Sequence, residues 1–160
     1  MSAKLMFITT LFAVLLTPSV TTVSAHCEIP CGIYDDAMRI DLMEEHIQTI
    51  EKSINLIQEL SKSADINYNQ LVRWINNKDV HANALQDIVY TYFMNQRIKP
   101  ADRTDKEKYD KYIKELTLLH EIAIHAMKTK QTADLDLIET LRKKVKAFRK
   151  SYLGEHGHHH

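Results

Sequence analysis

Between residues 40 and 57 the apolar side chains Ile40, Met43, Ile47, Ile50, Ile54 and Ile57 advance by alternating steps of three and four. That spacing lines all six along one stripe of a helix and cannot be met by the two-residue alternation of a strand. It predicts a long amphipathic helix from Asp35 to about Ser61. Asp35 and Asp36 at its start suit an N-cap and the positive end of the helix dipole. Glu44, Glu45, Glu51 and Lys52 fall between the apolar positions and form a solvated face.

The same periodicity predicts three more helices. After a break at Ser61-Lys62-Ser63-Ala64-Asp65, a second runs from about Ile66 to Asn95, with Leu71, Ile75, Ala82, Leu85, Val89 and Tyr92 facing inward and Trp74 beside the stripe. Pro100 and Asp102 separate it from a third, roughly Asp105 to Lys130, carried by Tyr109, Ile113, Leu116, Leu119, Ala123 and Met127. Thr132 or Asp134 can begin a fourth, with Leu137, Leu141, Val145, Phe148 and Tyr152 as its stripe and Gly154 as its stop. Only three Gly and three Pro occur in 160 residues that are 44% apolar, so breaks are few and one core can be filled. The expected fold is all-α, an antiparallel four-helix bundle over residues 35–154. Lys and Arg number 21 and so do Asp and Glu. No concentrated basic face is expected, and so no nucleic-acid partner.

Residues 1–25 have the parts of a secretory leader: Lys4, an apolar run from Leu5 to Leu16, then Pro18 and a polar stretch ending at Val23-Ser24-Ala25. The run is shorter than the roughly 20 residues a helix needs to span a bilayer. Small residues at the last and third-last places suit signal peptidase. Cleavage after Ala25, export to a periplasmic or extracellular space and no membrane association afterwards are therefore expected. The tail 155–160 carries His156, His158, His159 and His160 without any apolar pattern. It reads as a tag-like remnant, a nickel-collecting tail or a segment without a role.

Cleavage would leave His26 as the first residue, with a free amine. Both cysteines of the chain follow at once, in His26-Cys27-Glu28-Ile29-Pro30-Cys31-Gly32-Ile33-Tyr34. The His26 amine and the Cys27 backbone nitrogen can close one five-membered chelate ring, and the Cys27 nitrogen and its own sulfur a second. Cys31 adds another thiolate, brought round by the bend at Pro30, and the His26 imidazole can reach an axial position. Planar nitrogen and sulfur ligation suits nickel(II) or copper(II), whereas zinc prefers a tetrahedron. Tyr34, three residues after Cys31, can place a phenol beside the metal or pack at the start of the first helix. In an oxidising compartment a Cys27–Cys31 disulfide is the competing reading. Its loop is so short that it would stabilise a fold very little.

The stretch His26-Cys27-Glu28-Ile29-Pro30-Cys31-Gly32-Ile33-Tyr34-Asp35-Asp36 resembles the N-terminal hook of nickel superoxide dismutases. A second block, Asn69-Gln70-Leu71-Val72-Arg73-Trp74-Ile75-Asn76-Asn77-Lys78, resembles the helix that follows it in aquatic members of that family. Glu28 stands where the family more often carries Asp. The resemblance spans residues 26–160 and implies one nickel ion per subunit, held by His26, Cys27 and Cys31. It also implies disproportionation of superoxide by Ni(II)/Ni(III) cycling, with Tyr34 ordering water and small anions. It further implies a homohexamer whose hooks lie at subunit contacts, and an axial imidazole held by an acidic residue on the first helix and a basic one on the second. Asp41 is the candidate for the former, Lys78 or His81 for the latter. The alternative from another class is a secreted helical protein that holds nickel or copper, or a small disulfide, without catalysis. A free His26 amine and a redox-active metal distinguish the two.

Other metal patterns fail on spacing. The residues three before His46, His81, His120 and His125 are Met43, Lys78, Thr117 and Ile122, so the Glu-x-x-His pairs of di-iron bundles are absent. His120 and His125 are five apart, not the four that a zinc-protease helix requires. Both read as ordinary bundle histidines.

Overall fold

A computed structural model of the chain describes residues 35–154. Helix α1 spans Asp36–Ser61, α2 Tyr68–Asp87 with a wider π-wound continuation over Ile88–Arg97, α3 Lys106–Gln131 and α4 Asp136–Leu153. Three of the four starts carry a side-chain cap: Asp35, Asn67 and Asp105 accept from the backbone N–H three residues on. Ahead of α4, Asp134 accepts from the Asp136 backbone at 2.9 Å. At its end Gly154 takes φ 77°, the left-handed conformation that a glycine reaches without steric cost.

Side-chain contacts fix the helix directions. Along α1, Asp36 meets Tyr92 of the π-wound segment, while His46 and Ser53 meet His81 and Asn77 of α2. The two helices are thus antiparallel. Lys78 and Gln86 of α2 likewise bond α3 backbone at Thr129 and Ala123, Lys144 and Ser151 of α4 reach Glu121 and Glu115, and Arg142 and Tyr152 return to Glu51 and Asp36. Each helix therefore runs against the next, and α4 closes on α1, giving the expected antiparallel four-helix bundle. No strand occurs among the described residues, and none of their helices is long and apolar enough to cross a membrane.

All six positions of the α1 stripe are buried. The α2 stripe is buried only from Ala82 onward: Leu71 is partly covered and Ile75 is 37% exposed. Overlap explains the shortfall. Lys78 already lies beside Thr129, two residues before α3 ends, so the turns of α2 before Lys78 extend past α3.

The α3 stripe also differs from expectation. Its inward residues are Glu115, Leu119, Ile122, Ala123, Ala126 and Thr129, while Tyr109, Leu116 and Met127 are only partly buried and Ile113 is 40% exposed. Polar Glu115 and Thr129 close the true stripe at both ends, so apolar periodicity alone selects a rotated one. In α4, Ile138 takes the core position expected of Leu137.

The π-wound segment is the other departure. Ile98 N–H donates to the Phe93 carbonyl at 2.9 Å, a five-residue step, and the Gln96 side-chain Nε2 donates to the Thr91 carbonyl at 2.8 Å. Winding wider than 3.6 residues per turn lets the adjacent Tyr92 and Phe93 both face inward, 1% and 0% exposed. Phe93, Phe148 and Tyr152 then form an aromatic cluster, with ring centroids 4.9 to 5.5 Å apart, at the end of the bundle where α1 begins.

Candidate metal centre

The predicted ligands His26, Cys27 and Cys31 and the predicted phenol of Tyr34 lie outside the described residues, as do the leader 1–25 and the tail 155–160. The structure describes what residue 34 is joined to. Asp35 caps α1 by accepting from the Met38 backbone at 2.9 Å. The next residue, Asp36, is the centre of a network assembled from three helical segments. Its carboxylate accepts from the Tyr92 hydroxyl at 2.5 Å, from Arg97 Nε at 2.9 Å and from the Tyr152 hydroxyl at 2.6 Å. Arg97 Nη2 also donates to the Tyr92 oxygen at 3.1 Å, and the Arg97 and Arg39 guanidinium groups lie 4.6 and 5.1 Å from the Tyr92 ring centre.

The electrostatics follow from this wiring. Burial pushes the Asp36 carboxyl upward, but the Tyr152 and Tyr92 hydroxyls and the Arg97 guanidinium outweigh it and hold the group below the ordinary carboxylate value. Burial first, then the Asp36 carboxylate, raises Tyr152 well above the usual phenol range and Tyr92 in the same direction. Arg97 is raised by its hydrogen bonds to Tyr92 and Asp36. At neutral pH the network is a carboxylate, two phenols and a guanidinium, with each donor aimed at an acceptor.

The sequence shows Asp36 as a dipole-facing acid and Tyr92 and Tyr152 as stripe aromatics, but neither Arg97 nor the convergence of the four is apparent from it. The available signal was that two tyrosines rather than phenylalanines ended inward stripes, since a buried phenol needs a partner for its hydroxyl.

The three candidates for holding an axial imidazole are placed differently. Asp41 lies on α1 five residues beyond Asp36, roughly 7–8 Å along the axis, and accepts from Arg149 of α4. His81 is level with His46, roughly 15 Å from Asp36 along α1. Burial, then the neighbouring His81, holds His46 below the ordinary imidazole value. Lys78 is farther still. It is 3% exposed, and its ammonium donates to the Thr129 carbonyl and to Asp79. Its helix neighbour Asn77 meets Ser53, roughly 25 Å from Asp36 along α1. Within one subunit, Asp41 alone of the three sits near the start of α1.

Among the described residues no group of three or more His, Cys, Asp or Glu side chains could hold a metal. His125 Nδ1 contacts the Glu121 carbonyl at 2.7 Å, one turn back on its own helix, and His120 is exposed, in line with ordinary bundle histidines. Residues 26–31 hold a histidine and both cysteines of the chain within six positions. Amide and amine nitrogens with thiolates are a donor set that nickel(II) takes readily. Comparison with known proteins gives a match of residues 21–156 to the family model of nickel-containing superoxide dismutases. No curated protein and no solved structure matches.

Proposed function

Because the chain belongs to the nickel-containing superoxide dismutase family, we propose that residues 26–34 are its nickel hook and that the bundle holds that hook at the start of α1. One observation carries this reading: the only two cysteines of the chain lie beside a histidine at the expected end of a leader, directly upstream of the capped and cross-braced start of α1. His26 contributes its amine nitrogen and its imidazole, Cys27 its backbone nitrogen and Sγ, and Cys31 its Sγ. When bound, nickel supplies the one-electron couple through which one superoxide is oxidised to dioxygen and a second is reduced to hydrogen peroxide.

The chain's residues set the conditions for that couple. Two thiolates and a deprotonated amide donate enough charge to bring the nickel potential between the two superoxide half-reactions. The reducing half consumes two protons, which water held by the Tyr34 phenol delivers. Three residues separate Cys31 from Asp35, so the Cys31 Cα stays within roughly 15 Å of the α1 cap even if the linking chain is extended. Bracing by Tyr92, Arg97 and Tyr152 holds Asp36, two residues after the end of that link, against the bundle. Asp41, five residues further along α1, is the candidate to orient the His26 ring.

Export follows from the leader, with signal peptidase releasing the His26 amine in a periplasmic or extracellular space. The assembly is a homohexamer with one nickel per subunit. Tyr68, Val72 and Ile75 favour such an assembly, being 69%, 53% and 37% exposed along one side of the part of α2 that outruns α3. Neighbouring subunits would shield the thiolates from the peroxide produced beside them.

The test is N-terminal mass, nickel content and superoxide turnover on one exported preparation. The expected result is a chain beginning at His26, one nickel per subunit and turnover lost with the metal. Full turnover from a chain beginning elsewhere overturns the reading.

A further inference from the structure

Where α1 packs on α2, the Nδ1 atoms of His46 and His81 stand 2.9 Å apart. The ring centres are 5.1 Å apart with the planes tilted by 57°, so the rings meet at their nitrogens and not face to face. Both residues are half-buried, and each is flanked by core positions, Met43 and Ile47 on α1 and Ala82 and Leu85 on α2, all fully buried. The separation of the two nitrogens is therefore held by helix packing.

Two like ring nitrogens at this distance admit two arrangements. One is an N–H···N hydrogen bond, in which one ring must be neutral at that atom to accept. The other is a pair of lone pairs converging on a cation. A first-row divalent ion bonds imidazole nitrogen at about 2.0–2.1 Å, which separates two ligands by roughly 2.9 Å at a right angle and roughly 3.3 Å at the tetrahedral angle. The observed spacing already matches a right-angled pair and needs only a few tenths of an ångström to match a tetrahedral one.

The surroundings suit a cation. No third His, Cys, Asp or Glu side chain among the described residues joins the pair, so the two imidazoles are the whole of its protein ligation. The ammonium of Lys78, one turn before His81, is turned away to α3 at the Thr129 carbonyl and to Asp79. Half-exposure leaves room for water to complete the coordination.

We propose that His46 and His81 form a second metal site, a two-imidazole clamp for a divalent ion of the nickel, copper and zinc group. It is distinct from the hook, from which it is separated by ten residues of α1, and it exchanges its ion with solvent because only two protein ligands hold it. The clamp ties α1 to α2 at mid-length.

Zinc(II) added to the nickel-loaded full-length mature protein, followed through the imidazole ¹⁵N resonances, tests this site directly. The Nδ1 signals of His46 and His81 should move together and saturate with one ion. His81→Gln should abolish the response at His46, and His46→Gln the response at His81, with helical circular dichroism unchanged in both. Zinc shifts confined to His156, His158, His159 and His160, or a His46 response that survives His81→Gln, would overturn the site and leave a hydrogen bond alone. The titration of the parent protein decides the matter even if a variant fails to fold.

Discussion

The Tyr152 hydroxyl donates to the Asp36 carboxylate at 2.6 Å, joining the last helix of the bundle to the second residue after Tyr34 across 116 positions of sequence. That contact, with those from Tyr92 and Arg97, ties the first turn of α1 to the π-wound segment and to α4.

Tyr152→Phe should leave the ring in its aromatic cluster and remove one donor from a partly buried carboxylate. Hydrogen bonds to charged groups contribute roughly 1.5–3 kcal/mol, so a stability loss of that size is expected in urea unfolding. Superoxide turnover should fall as well, through a less firmly aimed hook. Unchanged stability and turnover together would show that the network is incidental.

The pH dependence has two limbs. Asp36 is held below the ordinary value of 3.8 in the fold, so its contribution is full above that pH and is lost as pH falls through the folded value. Tyr152 is raised above the ordinary 10, so its contribution is full below pH 10 and is lost as pH rises beyond it. Thermal midpoints measured against pH should be flat between these limits as far as this network is concerned. Asp36→Asn should weaken both limbs.

Cys31→Ser should abolish nickel binding and superoxide turnover together while helical circular dichroism is retained, because the helices begin five residues later with their own cap. A variant that binds nickel normally and loses only thermal stability would point to a disulfide in its place.

Val72→Asp places a charge on the exposed side of α2. Surface changes of this kind alter subunit stability by no more than about 0.5 kcal/mol, yet sedimentation should show the proposed hexamer dissociating. An unchanged particle mass would move the subunit contact away from this face.

The readability of this chain follows physical lines. The α1 stripe was legible because helices α2 and α4 flank it over its whole length. Leu71, Ile75 and Ile113 were misplaced because burial there depends on how far helices overlap, which no single stripe encodes. Glu115 and Thr129 hid the true face of α3, and a five-residue winding at Ile88–Arg97 is invisible to a search for 3.6. The proposed hook is read from sequence alone, because its chelate rings would be closed by covalently adjacent atoms, and it lies outside the described residues. The Asp36 network was not legible, since its members stand at 36, 92, 97 and 152 and only the fold brings them together.

The most direct measurement is superoxide turnover by a protein carrying one added alanine before His26 after leader removal. That residue converts the terminal amine into an amide and shifts the imidazole off its chelate ring, while the helices from Asp36 onward are untouched. The account predicts unchanged helical circular dichroism with turnover lost. Turnover equal to that of the parent would contradict it.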